Sequence, residues 1–158
     1  MIRTRLNGEF FGAPGERLFV LEHAPARGTE TFALLVPPFG DEMNKSRRML
    51  SLVGAGLAER GVAAVLPDFY GTGDSDGEFS AATPARWIDD LCGVIRLQHE
   101  RERRLVAVLG VRLGCALATV EQDRVFGALR GRHMHVWKEP DGYTILVTTT
   151  ATKSINPA

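Results

Sequence analysis

A chain of 158 residues is long enough for one hydrophobic core and too short for two ordinary domains, so we expect one domain. Basic and acidic residues number 19 each, which leaves no net charge to favour nucleic acid or an anionic membrane as a partner. The sequence lacks both an apolar run of the ~20 residues that span a bilayer and an N-terminal signal-peptide pattern. We therefore expect a cytoplasmic protein with no nucleic-acid partner and no membrane span.

The N-terminal third predicts a hairpin, a buried strand and a helix. Two short apolar runs separated by glycine and proline predict an antiparallel hairpin within residues 9–25, at a sheet edge. Residues 31–36 are almost continuously apolar, as in a strand covered on both faces. Residues 45–60 carry apolar side chains at helical spacing, and Gly61 follows where a C-terminal cap belongs.

The next segments repeat this alternation of strand and helix. Residues 62–66 predict a second buried strand, and Thr83 offers the N-cap of a helix over residues 84–102. The charged run at residues 99–104 is typical of the solvated end of a helix. Residues 105–109 predict a third buried strand. This order predicts a three-layer α/β fold with a mostly parallel sheet, in which ligands bind at the carboxyl ends of the strands.

A strand, sharp turn and helix follow at Gly110-Val111-Arg112-Leu113-Gly114. Glycine two positions before and two positions after a central residue is the spacing of a nucleophile elbow. The central residue here is Arg112, and a guanidinium cannot act as the attacking nucleophile. The spacing therefore predicts the fold and at the same time questions the chemistry.

The last part of the chain departs from this alternation. Residues 133–137 and 143–150 read as two strands around the turn Glu139-Pro140-Asp141-Gly142, which is a hairpin pattern. We assign residues 1–122 to the α/β unit and residues 123–158 to an atypical tail, with a frayed end from Lys153.

Three ordered motifs resemble the α/β-hydrolase superfamily: Pro37-Pro38-Phe39-Gly40, Asp68-Phe69-Tyr70-Gly71-Thr72-Gly73-Asp74-Ser75, and the elbow. More narrowly, VPPFGDEMNKSRRML and LPDFYGTGDSDGEF resemble hydrolases of the exosortase A system, second type, which accompany bacterial exopolysaccharide and protein-sorting gene clusters. The resemblance implies ester or thioester hydrolysis. It also implies an oxyanion donor at Phe39 and another at Val111 or Leu113.

Two departures from the superfamily concern the catalytic triad. Arg112 stands at the nucleophile position, and an α/β hydrolase places its acid and then its histidine after the elbow. Residues 123–158 are too few for the missing strands and helices, because one βαβ unit alone takes about 30 residues. We therefore expect a sheet that is incomplete after the elbow strand, and a truncated member with an unrelated tail and no working triad.

Arg112 allows two interpretations. At a helix N-terminus, and with the N–H groups of the Phe39-Gly40 loop, its guanidinium completes a pocket for a small anionic ligand. Alternatively it is an exposed turn residue, paired with an acid such as Asp41 or Asp68. A non-catalytic anion-binding or scaffold protein is thus the alternative to a hydrolase.

The glycine-rich loop contributes two further candidates, Asp68 and Ser75. Carboxylates in such turns usually bond their own backbone, and only a second carboxylate at fixed range would indicate acid–base work. In the superfamily this loop braces the site, so we do not expect Ser75 to be a nucleophile. We include both residues among those that contact a ligand.

Neither cofactor nor metal is expected. Cys92 and Cys115 lie in apolar helical contexts without a C-x-x-C or Cys/His cluster, which indicates buried free thiols. The candidate bases are His23, His99, His133 and His135. The last two alternate on one strand face, where an exposed pair is more common than a metal pair without a third ligand.

The incomplete sheet also predicts how the protein assembles. If the chain stops after the elbow strand, one side of that strand presents unpaired N–H and C=O groups. We expect either that the tail hairpin covers this side or that the protein self-associates through an exposed sheet edge.

Overall fold

The structure is a computed structural model that describes residues 3–120, 132–138 and 144–150. The predicted turn at residues 139–142 and the predicted frayed end from Lys153 lie outside the described residues, as do residues 121–131. Within the described part of the chain, no helix is long and apolar enough to cross a membrane.

Within these described residues the fold has seven strands and three helices. The strands are β1 (Thr4–Phe11), β2 (Leu18–Pro25), β3 (Thr31–Val36), β4 (Ala63–Pro67), β5 (Arg104–Val111), β6 (Arg132–Lys138) and β7 (Thr144–Thr150). The helices are α1 (Asp41–Glu59), α2 (Pro84–Glu100) and α3 (Leu113–Val120). A short 3₁₀ turn at Phe79–Ala81 precedes α2.

All seven strands belong to one sheet in the order β1-β2-β4-β3-β5-β7-β6. β3 pairs in parallel with β4 on one side and with β5 on the other. β1 and β2 form the predicted antiparallel hairpin at one edge, and β2 continues antiparallel onto β4. The α/β class, the parallel centre and the N-terminal hairpin are thus confirmed, and antiparallel pairs on both sides make the whole sheet mixed.

Helices cover both faces of this sheet and give the predicted three layers. On one face Leu50 of α1 packs with Leu35, Leu66 and Val111. On the other face α2 and α3 contribute to a larger core, in which Leu91 and Val94 pack with Phe32, Leu34 and Val65 among others. The near-continuous burial of β3 and β4 explains why their sequences read as unbroken apolar runs.

Helix α1 begins four residues earlier than its apolar pattern predicts. Its first turn carries Asp41 and Glu42, whose charges are favourable at the positive end of a helix dipole. The two acids do not belong to the apolar pattern, which therefore indicates a helix only from residue 45. Helix α2 begins as predicted, because the Thr83 hydroxyl accepts a hydrogen bond from Arg86 N at 3.1 Å and Pro84 occupies the first position.

The charged run after α2 is not simply a solvated helix end. Arg103 is only 9% exposed, and its guanidinium donates to Glu22 of β2 at 2.6 and 3.3 Å and to Gln98 at 2.9 Å. Arg101 forms a bidentate pair with Glu9 of β1. Composition alone hides these contacts, because both acidic partners lie about 80 to 90 residues earlier in the chain.

Strands β6 and β7 pair antiparallel, and β7 also pairs antiparallel with β5 from Ala107 opposite Thr149 to Val111 opposite Ile145. Of the two outcomes expected for the far side of the elbow strand, the structure therefore has the one in which the tail strands cover it. The assignment of residues 123–158 as a unit unrelated to the rest stays a prediction.

Candidate functional site

The elbow is a close approach between a strand, a helix and the loop that follows β3. A Cβ atom on Gly110 would lie 2.7 Å from the carbonyl group of Gly114. A Cβ atom on Gly114 would overlap the carbonyl oxygen of Val36 and lie 2.9 Å from its carbonyl carbon. Both glycines are therefore required by packing. Between them Arg112 has φ 52°, the strained left-handed backbone that an elbow imposes on its central residue.

Arg112 forms an ion pair with Glu42 of α1, through Nη1 and Oε1. The paired acid is thus Glu42, the neighbour of the suggested Asp41, while the suggested Asp68 is held by Arg47. The reason is the early start of α1, which brings its second residue over the elbow. The Arg112 side chain is 31% exposed and the Glu42 side chain 40%.

The predicted oxyanion donors lie at the same end of the sheet. Phe39 follows β3 and precedes α1, and Leu113 is the first residue of α3, where a helix leaves backbone N–H groups free for other partners. Val111 is the last residue of β5 and lies opposite Ile145 of β7 in the ladder. Which of Val111 and Leu113 supplies the second donor stays a prediction.

Asp68 closes β4 and is almost fully buried. Its Oδ2 accepts a hydrogen bond from Arg47 Nη2 at 2.5 Å and another from Asp74 N at 3.0 Å. Arg47 also approaches Asp74 at 3.5 Å. Burial acts to lower the pKa of Arg47, but the hydrogen bond and charge of Asp68 and the charge of Asp74 raise it overall. Asp68 therefore fixes the glycine-rich loop to α1.

The hydroxyl of Ser75 links this loop to the N-terminal hairpin. It donates to the carbonyl of Asp68 at 2.7 Å and accepts from Phe19 N of β2 at 2.9 Å. The next residue, Asp76, accepts hydrogen bonds from Gly15 N and from the backbone and side chain of Arg17. Both hydrogen-bonding directions of Ser75 are thus used within the protein, and its geometry is that of a bracing residue.

A third set of bonds attaches the loop to α2. Asp90 accepts from Tyr70 N at 2.9 Å and from Arg86 Nε at 3.2 Å, and Trp87 Nε1 donates to the Tyr70 carbonyl at 3.0 Å. The Arg86 guanidinium lies 4.3 Å from the centre of the Tyr70 ring. Burial raises the pKa of Asp90, and the hydrogen bonds from Tyr70 and Arg86 oppose that effect.

Aromatic side chains stand beside the loop at the carboxyl ends of β3 and β4. The Phe39 ring stacks on Phe79 at 5.9 Å and lies 5.5 Å from Trp87, and Trp87 also stacks on Phe69 at 5.4 Å. Phe39 and Phe79 are 39% and 52% exposed. A cleft of about 390 Å³ lies between Gly40 and the first turn of α1, the loop at Gly71 to Gly73, and Phe79.

None of the four histidines is placed beside the elbow by the described structure. His23 is buried under α1, where its Nε2 contacts Ser51 Oγ at 2.9 Å, and burial lowers its pKa. His99 lies in the last turn of α2. His133 and His135 lie on β6, which is separated from β5 by β7. Across this ladder His135 is in register with Leu109, and His133 is in register with Ala107.

The sequence interpretation missed three residues that shape this site: Glu42, Arg47 and Asp90. Asp90 gave a usable signal, since it interrupts the apolar helical face that includes Trp87 and Leu91, and an acid on such a face needs a partner. Arg47 and Glu42 gave none, because their partners come from other elements. No group of side chains that could hold a metal ion occurs among the described residues, and Cys115 is buried while Cys92 is half-buried.

No protein-family model matches this sequence, and a comparison with curated proteins finds no relative. Solved structures do match. Est1E from Butyrivibrio proteoclasticus with bound ferulic acid is 22% identical, with a TM-score of 0.60 over 74% of this chain and 49% of its own. The fold is that of the α/β hydrolases.

Two other matches agree with that fold. A protein from Agrobacterium vitis S4 that is named as a hydrolase has a TM-score of 0.57 at 22% identity, over 83% of this chain and 48% of its own. The thioesterase domain from the curacin biosynthetic pathway has a TM-score of 0.57 at 17% identity, over 75% of this chain and 42% of its own. The chain thus spans about half or less of the length of these structures.

Proposed function

We propose that this chain is an α/β-hydrolase-fold protein that carries out no serine-type hydrolysis. The observation that carries the proposal is the occupant of the elbow: Arg112 has the strained backbone of the nucleophile position, and its side chain is paired with Glu42. A guanidinium stays protonated in proteins and offers no lone pair for attack on a carbonyl carbon. The elbow then positions a cation where a nucleophile would otherwise stand.

We further propose that the chain derives from hydrolases of the exosortase-associated kind, whose implied substrate class is esters or thioesters. The two segments that resemble them, residues 36–50 and 66–79, lie on opposite sides of the cleft beside Phe79. In the resembling hydrolases a substrate carbonyl oxygen would be held by backbone N–H groups, for which Phe39 and Leu113 are the candidates in this chain. The thioesterase domain among the matching structures is consistent with this substrate class.

Anion binding through Arg112 is the second candidate function, and the exposure of the ion pair favours it. Exposed ion pairs contribute only about 0–1 kcal/mol, because water screens the charges and the side chains lose freedom. With Arg112 31% and Glu42 40% exposed, an incoming carboxylate or phosphate can replace Glu42 at small cost. Asp68 and Ser75 would then act by holding the neighbouring loop.

An activity measurement tests the first proposal. We expect p-nitrophenyl acetate to be hydrolysed no faster by the wild-type protein than by Arg112→Gln, and a fluorophosphonate probe to label no serine. Labelling of any serine, followed by peptide mapping, would contradict the proposal.

A binding measurement tests the second candidate. Calorimetric titration with benzoate and with inorganic phosphate should give heat with the wild-type protein and none with Arg112→Gln. Arg48→Gln is the matched control, since Arg48 is an exposed arginine of the same helix as Glu42. Equal binding by all three proteins would exclude Arg112 as the anion site.

A further inference from the structure

β1 forms one edge of the described sheet, and β6 forms the other edge. The elbow strand β5 pairs with β3 on one side and with β7 on the other, so neither side of β5 is an open edge. β1 pairs only with β2 among the described strands. Six of its eight residues are exposed, including Leu6 at 62% and Phe10 at 53%. Edge strands of this length are templates for pairing with another chain.

The backbone groups that point away from β2 can be assigned from the ladder. Ala26 N donates to Arg3 O at 2.7 Å, and Thr4 lies opposite Pro25, which has no N–H to donate. Paired residues in an antiparallel ladder alternate between bonded and non-bonded pairs. The N–H and C=O groups of Thr4, Leu6, Gly8 and Phe10 therefore point outward and can bond another strand.

One face of β1 is complementary to itself. Arg5, Asn7 and Glu9 alternate along the strand and share a face. If a second copy of β1 pairs antiparallel about a two-fold axis at Asn7, Arg5 of each copy lies opposite Glu9 of the other copy. Opposite charges directly across a ladder are favourable. Both oxygens of Glu9 accept from Arg101 at 2.6 and 2.8 Å, which fixes the carboxylate and leaves it lone pairs for Arg5 of the second copy.

The other face fits in the same register. Leu6 of one copy lies opposite Gly8 of the other, where a glycine leaves room for a large neighbour. The Phe19 ring lies over Gly8, within 3.0 Å of the place that a Cβ atom would take. The exposed Leu6 side chain can therefore pack on Phe19 of the second copy. Burial of an exposed leucine is an apolar gain for this pairing.

From the edge geometry and the charge pattern, we propose that two copies of this chain associate through β1, antiparallel and centred on Asn7, into one continuous sheet. The interface consists of backbone hydrogen bonds, two Arg5–Glu9 pairs and two Leu6 contacts. It has no deep apolar core, so the expected dissociation constant is micromolar and rises with salt.

Sedimentation equilibrium at micromolar protein concentration tests the charge pairing. Arg5→Glu should weaken the dimer at least tenfold, because it places two acids opposite each other. Arg48→Glu is the matched control, with the same charge change on the exposed surface of α1, and should dimerise like the wild type. A monomer at every concentration, or a dimer that Arg5→Glu leaves unchanged, overturns the proposal.

A cross-linking measurement tests the register independently of affinity. Asn7 would face its own copy in a non-bonded pair, in which Cα atoms are about 4.5 Å apart, a separation that a disulfide can bridge. Asn7→Cys should therefore form an intermolecular disulfide under mild oxidation, several-fold faster than Thr4→Cys, which leaves the charge pairs intact and lies opposite Phe10 of the other copy. Equal rates for both variants, or no cross-link above the wild-type background, contradict the proposed centre.

Discussion

The glycine-rich loop after β4 and the elbow after β5 lie at the same end of the sheet but are held in different ways. The loop is fixed by polar contacts to three elements, through Asp68 to α1, Ser75 to β2 and Asp90 to α2. The elbow is fixed by contact between backbones, in which Gly114 lies against the carbonyl group of Val36.

This difference separates the architecture of the site from its chemistry. A backbone-packed elbow constrains the residues at its two glycine positions and leaves the central side chain free to vary, provided that it tolerates a positive φ. The polar loop constrains its own side chains. The elbow can therefore keep its geometry with Arg112 in place, while the loop depends on Asp68, Ser75 and Asp76.

The largest expected effect on stability comes from a substitution in the elbow. Gly114→Ala should lower the free energy of unfolding by about 3 kcal/mol, because the new Cβ overlaps a backbone carbonyl that cannot move alone. Urea denaturation measures the change. Gly56→Ala, where the added Cβ meets only the end of Arg60 at 3.6 Å, is the control and should stabilise α1 by about 0.5–1 kcal/mol. Equal effects would show that the elbow is not close-packed.

Removing the contacts that hold the glycine-rich loop should lower the free energy of unfolding by a smaller amount. Asp68→Ala removes the acceptor of both Arg47 and the Asp74 amide, and should cost about 2 kcal/mol of unfolding free energy. Asp74→Ala is the matched control: its side chain is 61% exposed, so its loss should stay within about 0.5 kcal/mol. A cost for Asp74→Ala as large as that for Asp68→Ala would mean that Asp68 is not the residue that holds the loop.

The same contrast explains what the sequence could predict. Apolar runs and glycine spacing predict the strands, the helices and the elbow, because these depend on local periodicity and on close backbone contact. The partners of Arg112 and Arg103 could not be predicted, since Glu42 and Glu22 come from elements far away in sequence. The start of α1 was missed because its first turn is acidic rather than apolar.

An acid titration sharpens the description of the loop. Hydrogen bonds from the Arg17 side chain and backbone lower the pKa of Asp76 from 3.8 to about 2. As pH falls, the unfolded chain binds this proton before the folded protein does, so the stabilisation by Asp76 is present above about pH 4 and is lost toward pH 2. Carboxyl-carbon NMR should show Asp76 titrating near 2, and Asp76→Asn should flatten the loss of stability over that range. Titration of Asp76 at its ordinary value would contradict the bonding described for the loop.

The smallest expected effect concerns catalysis, and it tests the proposal that the elbow has hydrolase geometry without hydrolase chemistry. Arg112→Ser restores the Gly-x-Ser-x-Gly pattern, but a serine hydroxyl needs a positioned base. His135 is in register with Leu109 but lies on β6, two strands from β5, so the two backbones are about 10 Å apart.

The measurement is the rate constant for p-nitrophenyl acetate with wild type, Arg112→Ser and Arg112→Ser/His133→Ala side by side. We expect both variants to stay at or below the ~10³–10⁴-fold acceleration over water that remains when a triad member is missing. A larger gain in Arg112→Ser that disappears in the double variant would show that the tail supplies a base, and would contradict this account.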